Sequence, residues 1–459
     1  MGADTVVRAV WRSMRIEDRQ VHVGKRAKTP RKIVSLLLAS SLVAGCSGIL
    51  PNISREGLPQ EADAVASREF PTATQKESSS DEPRNDQPSA PLDRPQPPGT
   101  PIGASPISGD LPLGNLYWGT SPSSGLPWSA AELGRSLTSG RQDDAARQTR
   151  RVLQLAEETL NSEAPVVAGI DREGKLPSDP RYKASDEAVR SVDRVYQWAM
   201  CGRVAAEPLA SRCREKAERA IDAWAYTYRP SGNPINDMYL VPVIQATDLL
   251  LPIATPERQL TWTAWCSEFA RAGDKFYMPL KPTNATTINN WASWRLLLRA
   301  LGGRVGRETA VVKDTRALVS VHVERNLRPD GSSVDFEERD ALHYHTYNLE
   351  ALVLLALFVP ETVDDASAAR IEAGLQFMRP FVLGEQKHIE FVRSRVSFDI
   401  QRRDAGVAGF ANVAWDPRES RNLLRQARTR FLSIRAWTDA LVDEQYSPRI
   451  KQIAALRGG

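Results

Sequence analysis

Residues 337–359 read EERDALHYHTYNLEALVLLALFV, and from His343 onward their apolar side chains recur three and four positions apart for seventeen residues. That is the period of a helix, with none of the alternation that marks a half-buried strand. The same period runs upstream through 143–162 (DDAARQTRRVLQLAEETLNS), 185–202 (SDEAVRSVDRVYQWAMCG) and 211–228 (SRCREKAERAIDAWAYTY). It continues through 238–253, 258–277, 289–303 and 308–327, and downstream through 367–382 and 419–441. Antiparallel helices of this length, joined by short polar turns, imply an all-α domain arranged as a helical toroid or superhelical array. No repeat in the sequence sets the number of turns.

Outward from this helical region, charge and proline are unevenly spread along the 459 residues, whose net charge is +4. Residues 1–45 carry nine basic and three acidic side chains. In them the basic run GKRAKTPRK precedes the apolar stretch Ile33–Gly45, too short to span a bilayer as a stable helix, and then Cys46. Val43-Ala44-Gly45-Cys46 resembles a bacterial lipobox, so 1–45 is expected to be a lipoprotein signal peptide and Cys46 the lipidated residue. An ordinary signal peptide with a coincidental cysteine is the alternative. Ser47 lacks the usual inner-membrane retention signal of enteric bacteria, which points to export and an outer-membrane anchor.

Residues 46–110 form the next unit; positions 47–110 hold 11 of the 31 prolines and a charge of −5. Such a stretch buries too little apolar surface to offset its ordering entropy and reads as a disordered tether. The domain at 111–459 is left with a surplus of three positive charges, which removes the support for a nucleic-acid partner. Cys201 and Cys213, twelve residues apart, could close a disulfide between two helices in an oxidising compartment. No CxxC or HxxxH ligand set occurs, so neither a metal nor another cofactor is expected. Nothing in the sequence sets an oligomeric state.

Three turns rich in Asn, Tyr, His and Gly are the places where chemistry could sit: 231–239 (SGNPINDMY), 287–294 (TINNWASW) and 330–347 (DGSSVDFEERDALHYHTY). The domain has four histidines, and two of them, His343 and His345, flank Tyr344. Each turn also has a plain structural reading. HYHTY could be a helix start with inward-packed aromatics, Asn289-Asn290 a helix cap, and Gly232-Asn233-Pro234 a turn.

Taken together the three segments resemble the alginate lyase family of polysaccharide lyases. There an Asn-Asn-His motif opens one helix and an Arg-Ala-Leu-x-Tyr-His motif opens a later one. Here NNW and RDALHYH lie 55 residues apart, measured from Asn289 to Tyr344, with GNPIN upstream. The resemblance implies an (α/α) toroid, an incomplete helical barrel, with a groove across one end. It also implies β-elimination on a uronic-acid polymer such as alginate or a glucuronan-like chain, an acidic-polysaccharide substrate.

Proton abstraction beside a carboxylate requires the developing dianion to be quenched, a role that suits Asn290 and Arg339. Tyr344 is expected as acid or base, with His343 or His345 as its partner. Asn236, Tyr239, Asn289, Trp291, Tyr347 and His388 are expected to bind the polymer, and the segment His388-Ile389-Glu390-Phe391-Val392-Arg393-Ser394, followed by Phe398-Asp399, to line the same groove. Two departures from the family pattern stand out. Trp291 occupies the position of the family histidine, and Arg339 is closer to Tyr344 than in that pattern. A glycan-binding envelope lipoprotein without turnover is a second reading. A glycoside hydrolase using carboxylates such as Asp335 and Glu337 is a third.

Overall fold

The structure is a computed structural model and describes residues 144–442, apart from 408, 411 and 429. The expected signal peptide, Cys46, the expected tether and the expected start of the domain at 111 lie outside the described residues. Among the described residues there is no strand; two isolated bridges, Leu327 with Ser333 and Ile389 with Ala414, are the extended pairings. Among the described residues, nine helices have ten residues or more and are numbered in chain order. They are α1 (Asp144–Thr159), α2 (Asp186–Val204), α3 (Leu209–Thr227), α4 (Val241–Leu250), α5 (Pro256–Tyr277), α6 (Asn290–Val305), α7 (Thr309–Asn326), α8 (Leu342–Phe358) and α9 (Asp365–Phe377).

Two classes of helix alternate. In α6 and α8 almost every residue is buried, from Asn290 to Val305 and from Leu342 to Leu357, so these helices are walled in on all sides. By contrast, α7 buries Val312, Thr315, Val319, His322, Val323 and Asn326, a single stripe at helical spacing, and leaves its other face in water. The stripe of α3 is similar, running through Ala210, Cys213, Ala217, Ala220, Ile221 and Trp224. Helix α6 packs on both α5 and α7 and also touches α4 and α8, while α2 packs on α1, α3 and α4. Removing each of the α8 leucines from water contributes about 1.5–3 kcal/mol, and Leu349, Leu352, Leu355 and Leu357 are all enclosed.

Cys201 and Cys213 form a disulfide with Cα atoms 5.8 Å apart, joining the end of α2 to the start of α3. Cys266 is a buried free thiol. The expected helix over 419–441 is broken into Arg421–Ala427 and Arg435–Val442, and the turn between them lets Phe431 and Ile434 both enter the core. The expected helix over 367–382 also divides, with Pro380 near the start of a separate short helix, Arg379–Val382.

Two motif-bearing turns are pressed against outer helices by glycine. Gly331 has φ +91°, and a Cβ there would lie 2.2 Å from the carbonyl oxygen of Ala373 in α9. Gly232 has φ +78°, and its Cβ would meet the Ala272 carbonyl oxygen of α5 at 2.3 Å. Only a residue without a side chain permits these approaches.

Candidate active site

The start of α6 supplies the Asn pair. Asn289 is the N-cap, its side chain accepting from the Trp291 N–H at 3.1 Å. Asn290, 2% exposed, turns inward, where its backbone N–H (3.0 Å) and its Nδ2 both donate to Asp335 Oδ1. Asp335, 1% exposed, also accepts from Asn326 Nδ2 at 3.2 Å. Asn348 Nδ2 donates to Asn326 Oδ1 at 2.7 Å, and Ser293, between Asn348 and His322, extends the chain. Burial pushes the Asp335 carboxyl up to about 6, while the donors from Asn290 and Asn326 pull the other way. A polar network buried and bonded in this way fixes side-chain positions where apolar packing would leave latitude.

From Asp335 the short helix Val334–Arg339 carries the chain to Arg339. Ser333 caps this helix by accepting from the Phe336 N–H, and Asp340 ends it in the left-handed conformation, φ 49°. Arg339 donates through Nε (2.9 Å) and Nη2 to the enclosed carboxylate of Asp399. Its guanidinium lies over the Tyr344 ring, 3.4 Å from the ring centroid. The Tyr344 hydroxyl accepts from Arg402 Nη1 at 2.6 Å, and Arg402 itself stacks on Phe398 and Phe410 at 4.1 and 4.8 Å. Asp399 and Arg402 sit one turn apart on the helix Ser397–Asp404.

The first turn of α8 has unpaired N–H groups, as every helix start does. Glu390 accepts from two of them, Leu342 N (2.8 Å) and His343 N (3.1 Å), and burial raises its carboxyl to about 7. His388 donates through Nε2 to the Asp340 carbonyl at 2.9 Å and lies 3.7 Å from Glu390, so it braces the entry to α8.

A second group of side chains approaches from the N-terminal half. Asn236 Oδ1 accepts from the backbone N–H of both Arg172 and Glu173, each at 2.9 Å. The Arg172 guanidinium stacks on Tyr182 and, at 5.1 Å, on Tyr239. Tyr347 donates to the sulfur of Met238 and packs on Trp294 at 5.1 Å. Burial, helped by Tyr239, Tyr344 and Glu350 nearby, holds the Tyr347 hydroxyl well above the ordinary range. Burial also raises the Glu173 carboxyl, against the opposing pull of Lys175, the Asn233 side chain and Arg402.

Arg339 and Tyr344 are therefore joined by direct stacking, Asp335 feels the charge of Arg339 while holding Asn290, and Tyr347, near Tyr239, packs edge-on against Tyr344 at 6.3 Å. His343 is half-buried beside the Tyr344 ring, 5.2 Å between centroids, and its Nδ1 faces Glu419 at 3.1 Å. His345 is placed differently from the partner expected of it. It is 0% exposed, with Nδ1 on Ser333 Oγ (2.9 Å) and Nε2 on the Gly374 carbonyl (3.0 Å), and burial lowers it to about 4. Neighbours on a helix point about 100° apart, so with Tyr344 turned toward Arg402 the imidazole of His345 faces the α9 side. Trp291 stacks on Phe276 at 6.3 Å, next to the Gly232 turn, and His388 serves the backbone of Asp340.

The two carboxylates of the hydrolase reading do not share a cleft. Asp335 is enclosed beneath Asn290, and Glu337 is an exposed partner of Arg328. Among the described residues no group of three or more His, Cys, Asp or Glu is placed to hold a metal ion. Sequence reasoning missed Arg402 and Arg172, and it placed Glu390 only within a segment expected to line the groove. Arg172 lies between Asp171 and Glu173, and Arg402 is followed by Arg403 and Asp404, so no local pattern separates either from a solvated charge.

The profile of the alginate lyase family matches residues 136–388, more than half of the chain. Among solved structures, an alginate lyase from Bacteroides ovatus is similar at 13% identity and a TM-score of 0.46, over 71% of this chain and 93% of that one. Alginate lyase A1-III from Sphingomonas species A1 is similar at 17% identity and a TM-score of 0.42, over 68% and 97%. A search of curated proteins returns no match. With the family profile spanning the Asn pair and the Tyr344 motif alike, the chain belongs to the alginate lyase family.

Proposed function

We propose that the protein is a polysaccharide lyase that cleaves an acidic, uronic-acid-containing polymer by β-elimination. The observation that carries this reading is Arg339 stacked on the Tyr344 ring, with Asp335, which holds Asn290, within electrostatic reach of that guanidinium. In the reaction a base takes the proton from C5 and the C–H electrons form the C4=C5 double bond. The C4–O4 bond breaks, and the departing oxygen takes a proton. Charge that builds on the substrate carboxylate is met by the guanidinium of Arg339, fixed before substrate arrives, while Asn290, whose amide donates inward to Asp335, holds the buried network beneath it. Tyr344 moves a proton at its hydroxyl oxygen, and His343, which adjoins its ring, is the partner. Asn236, Tyr239, Tyr347 and Trp291 supply polar and aromatic contacts along the chain of sugars, with Asn289 and His388 holding the surrounding backbone.

Alternation of enclosed helices (α4, α6, α8) with one-sided ones (α3, α5, α7) supports an (α/α) toroid as the frame. A lipid anchor at Cys46, holding the domain at the cell envelope through the tether, is part of the same proposal. Metabolic lipid labelling tests it, since Cys46→Ser should abolish the label and release the protein from membranes. For the lyase reading, the purified protein is incubated with polymannuronate, polyguluronate, mixed alginate and glucuronan. Ultraviolet absorbance of an unsaturated uronide should appear with at least one of them. No absorbance with any polymer, together with retained binding that Trp291→Ala weakens and Tyr344→Phe leaves unchanged, would favour the non-catalytic glycan-binding reading. That reading draws on Trp291 standing where the family carries histidine.

A further inference from the structure

We propose that Arg402 is a positioning residue of the elimination site, holding the Tyr344 oxygen and stabilising the charge it carries while a proton passes through it. The inference rests on the lyase reading above. Whichever direction Tyr344 works, its oxygen is negative at one stage: before it takes the C5 proton as base, or after it yields a proton to O4 as acid. A fixed cationic donor at that oxygen serves both stages. Arg402 remains protonated throughout and neither gives nor takes a proton, so the balance of the elimination is unchanged.

The geometry singles out this arginine. Its Nη1 donates to the Tyr344 hydroxyl at 2.6 Å, and the rings of Phe398 and Phe410 lie 4.1 and 4.8 Å from the guanidinium carbon. Aromatic faces on a guanidinium hold its orientation as well as its position. One turn earlier on the same helix, Asp399 holds Arg339, the group stacked at 3.4 Å on the Tyr344 ring. Residues three apart share a helix face. A single face of the eight-residue helix Ser397–Asp404 thus braces the tyrosine twice, at its ring through Arg339 and at its oxygen directly. This helix lies beyond residue 388, where the family profile ends. Where the family motif has histidine the chain has Trp291, whose indole stacks on Phe276, and Arg402 brings a charged donor to Tyr344 from a different element.

The test compares Arg402→Ala, Arg402→Lys and a control on the same helix, Arg403→Ala, whose side chain pairs outward with Asp404. Loss of one preorganised charge-stabilising donor lowers kcat by about 10²–10³-fold. We expect that drop for Arg402→Ala, with KM within about threefold, partial recovery in Arg402→Lys, and partial rescue of Arg402→Ala by millimolar guanidinium. Arg403→Ala should match the wild type, and circular dichroism should be the same for all. A kcat for Arg402→Ala within about threefold of wild type, or a loss borne by KM alone without guanidinium rescue, would overturn the proposal. A readout independent of turnover is the Cζ resonance of Tyr344 in ¹³C-tyrosine-labelled protein, assigned by Tyr344→Phe. It should move in Arg402→Ala and stay in place in Arg403→Ala; an unmoved resonance overturns the contact itself. Absence of product from the wild type with every polymer overturns the lyase reading instead, and the positioning role with it.

Discussion

His345 sits next to Tyr344, the proposed acid/base, in sequence, yet its environment is structural, and replacing it should cost stability rather than chemistry. In His345→Ala the imidazole leaves a cavity bordered by Phe336 and Phe377. It also strips partners from Ser333 Oγ and the Gly374 carbonyl. Two lost hydrogen bonds are worth about 1 kcal/mol each, and the cavity adds about 2 kcal/mol, so a destabilisation of about 4 kcal/mol is expected at pH 7.5.

The same burial makes the residue acid-sensitive. Its imidazole is held neutral, lowered from 6.5 to about 4, so between those pH values the unfolded chain binds a proton that the folded chain refuses. Stability from this group is fully present above pH 6.5 and is lost as pH falls toward 4. At about 1.4 kcal/mol per pH unit the loss amounts to about 3 kcal/mol. Urea unfolding at pH 7.5, 6 and 5 should show the gap between wild type and His345→Gln narrowing as pH falls, while kcat of the folded variant at pH 7.5 stays near wild type. A His345→Gln protein that melts like wild type but has lost turnover would refute this placement and return His345 to the proton path.

Tyr344→Phe removes the oxygen proposed to handle the proton and keeps the ring under Arg339, so product formation should fall by more than about 10²-fold with unchanged circular dichroism. Gly331→Ala meets both a positive φ and the Ala373 carbonyl, and thermal melting should show a loss of more than about 2 kcal/mol. Melting with and without reductant should differ by about 2–4 kcal/mol, the usual value of a closed loop, and Cys201→Ser should abolish that difference.

Helix periodicity is a local property, and the segments from 143 to 327 and at 343–359 were readable because each helix declares its buried stripe at three- and four-residue spacing. Even so, the turn that divides 419–441 contains no proline or glycine and answers only to the need to bury Phe431 and Ile434. The Asn pair and the Tyr344 motif were visible for a similar reason, since unusual residue types were concentrated at two helix starts. Their roles were less visible. Nothing in HYH indicates which histidine faces solvent and which faces Gly374, because neighbours on a helix diverge by about 100° and packing chooses between them.

The sequence by itself determined the class of fold, the family, and the residues that begin α6 and α8. Tertiary structure alone decided what those residues touch. Asp399 and Arg402 reach Arg339 and Tyr344 across 60 and 58 residues of chain, and Asp335 reaches Asn290 across 45. Contacts at such separations leave no period or motif in the primary structure, because they exist only once the helices between them have packed.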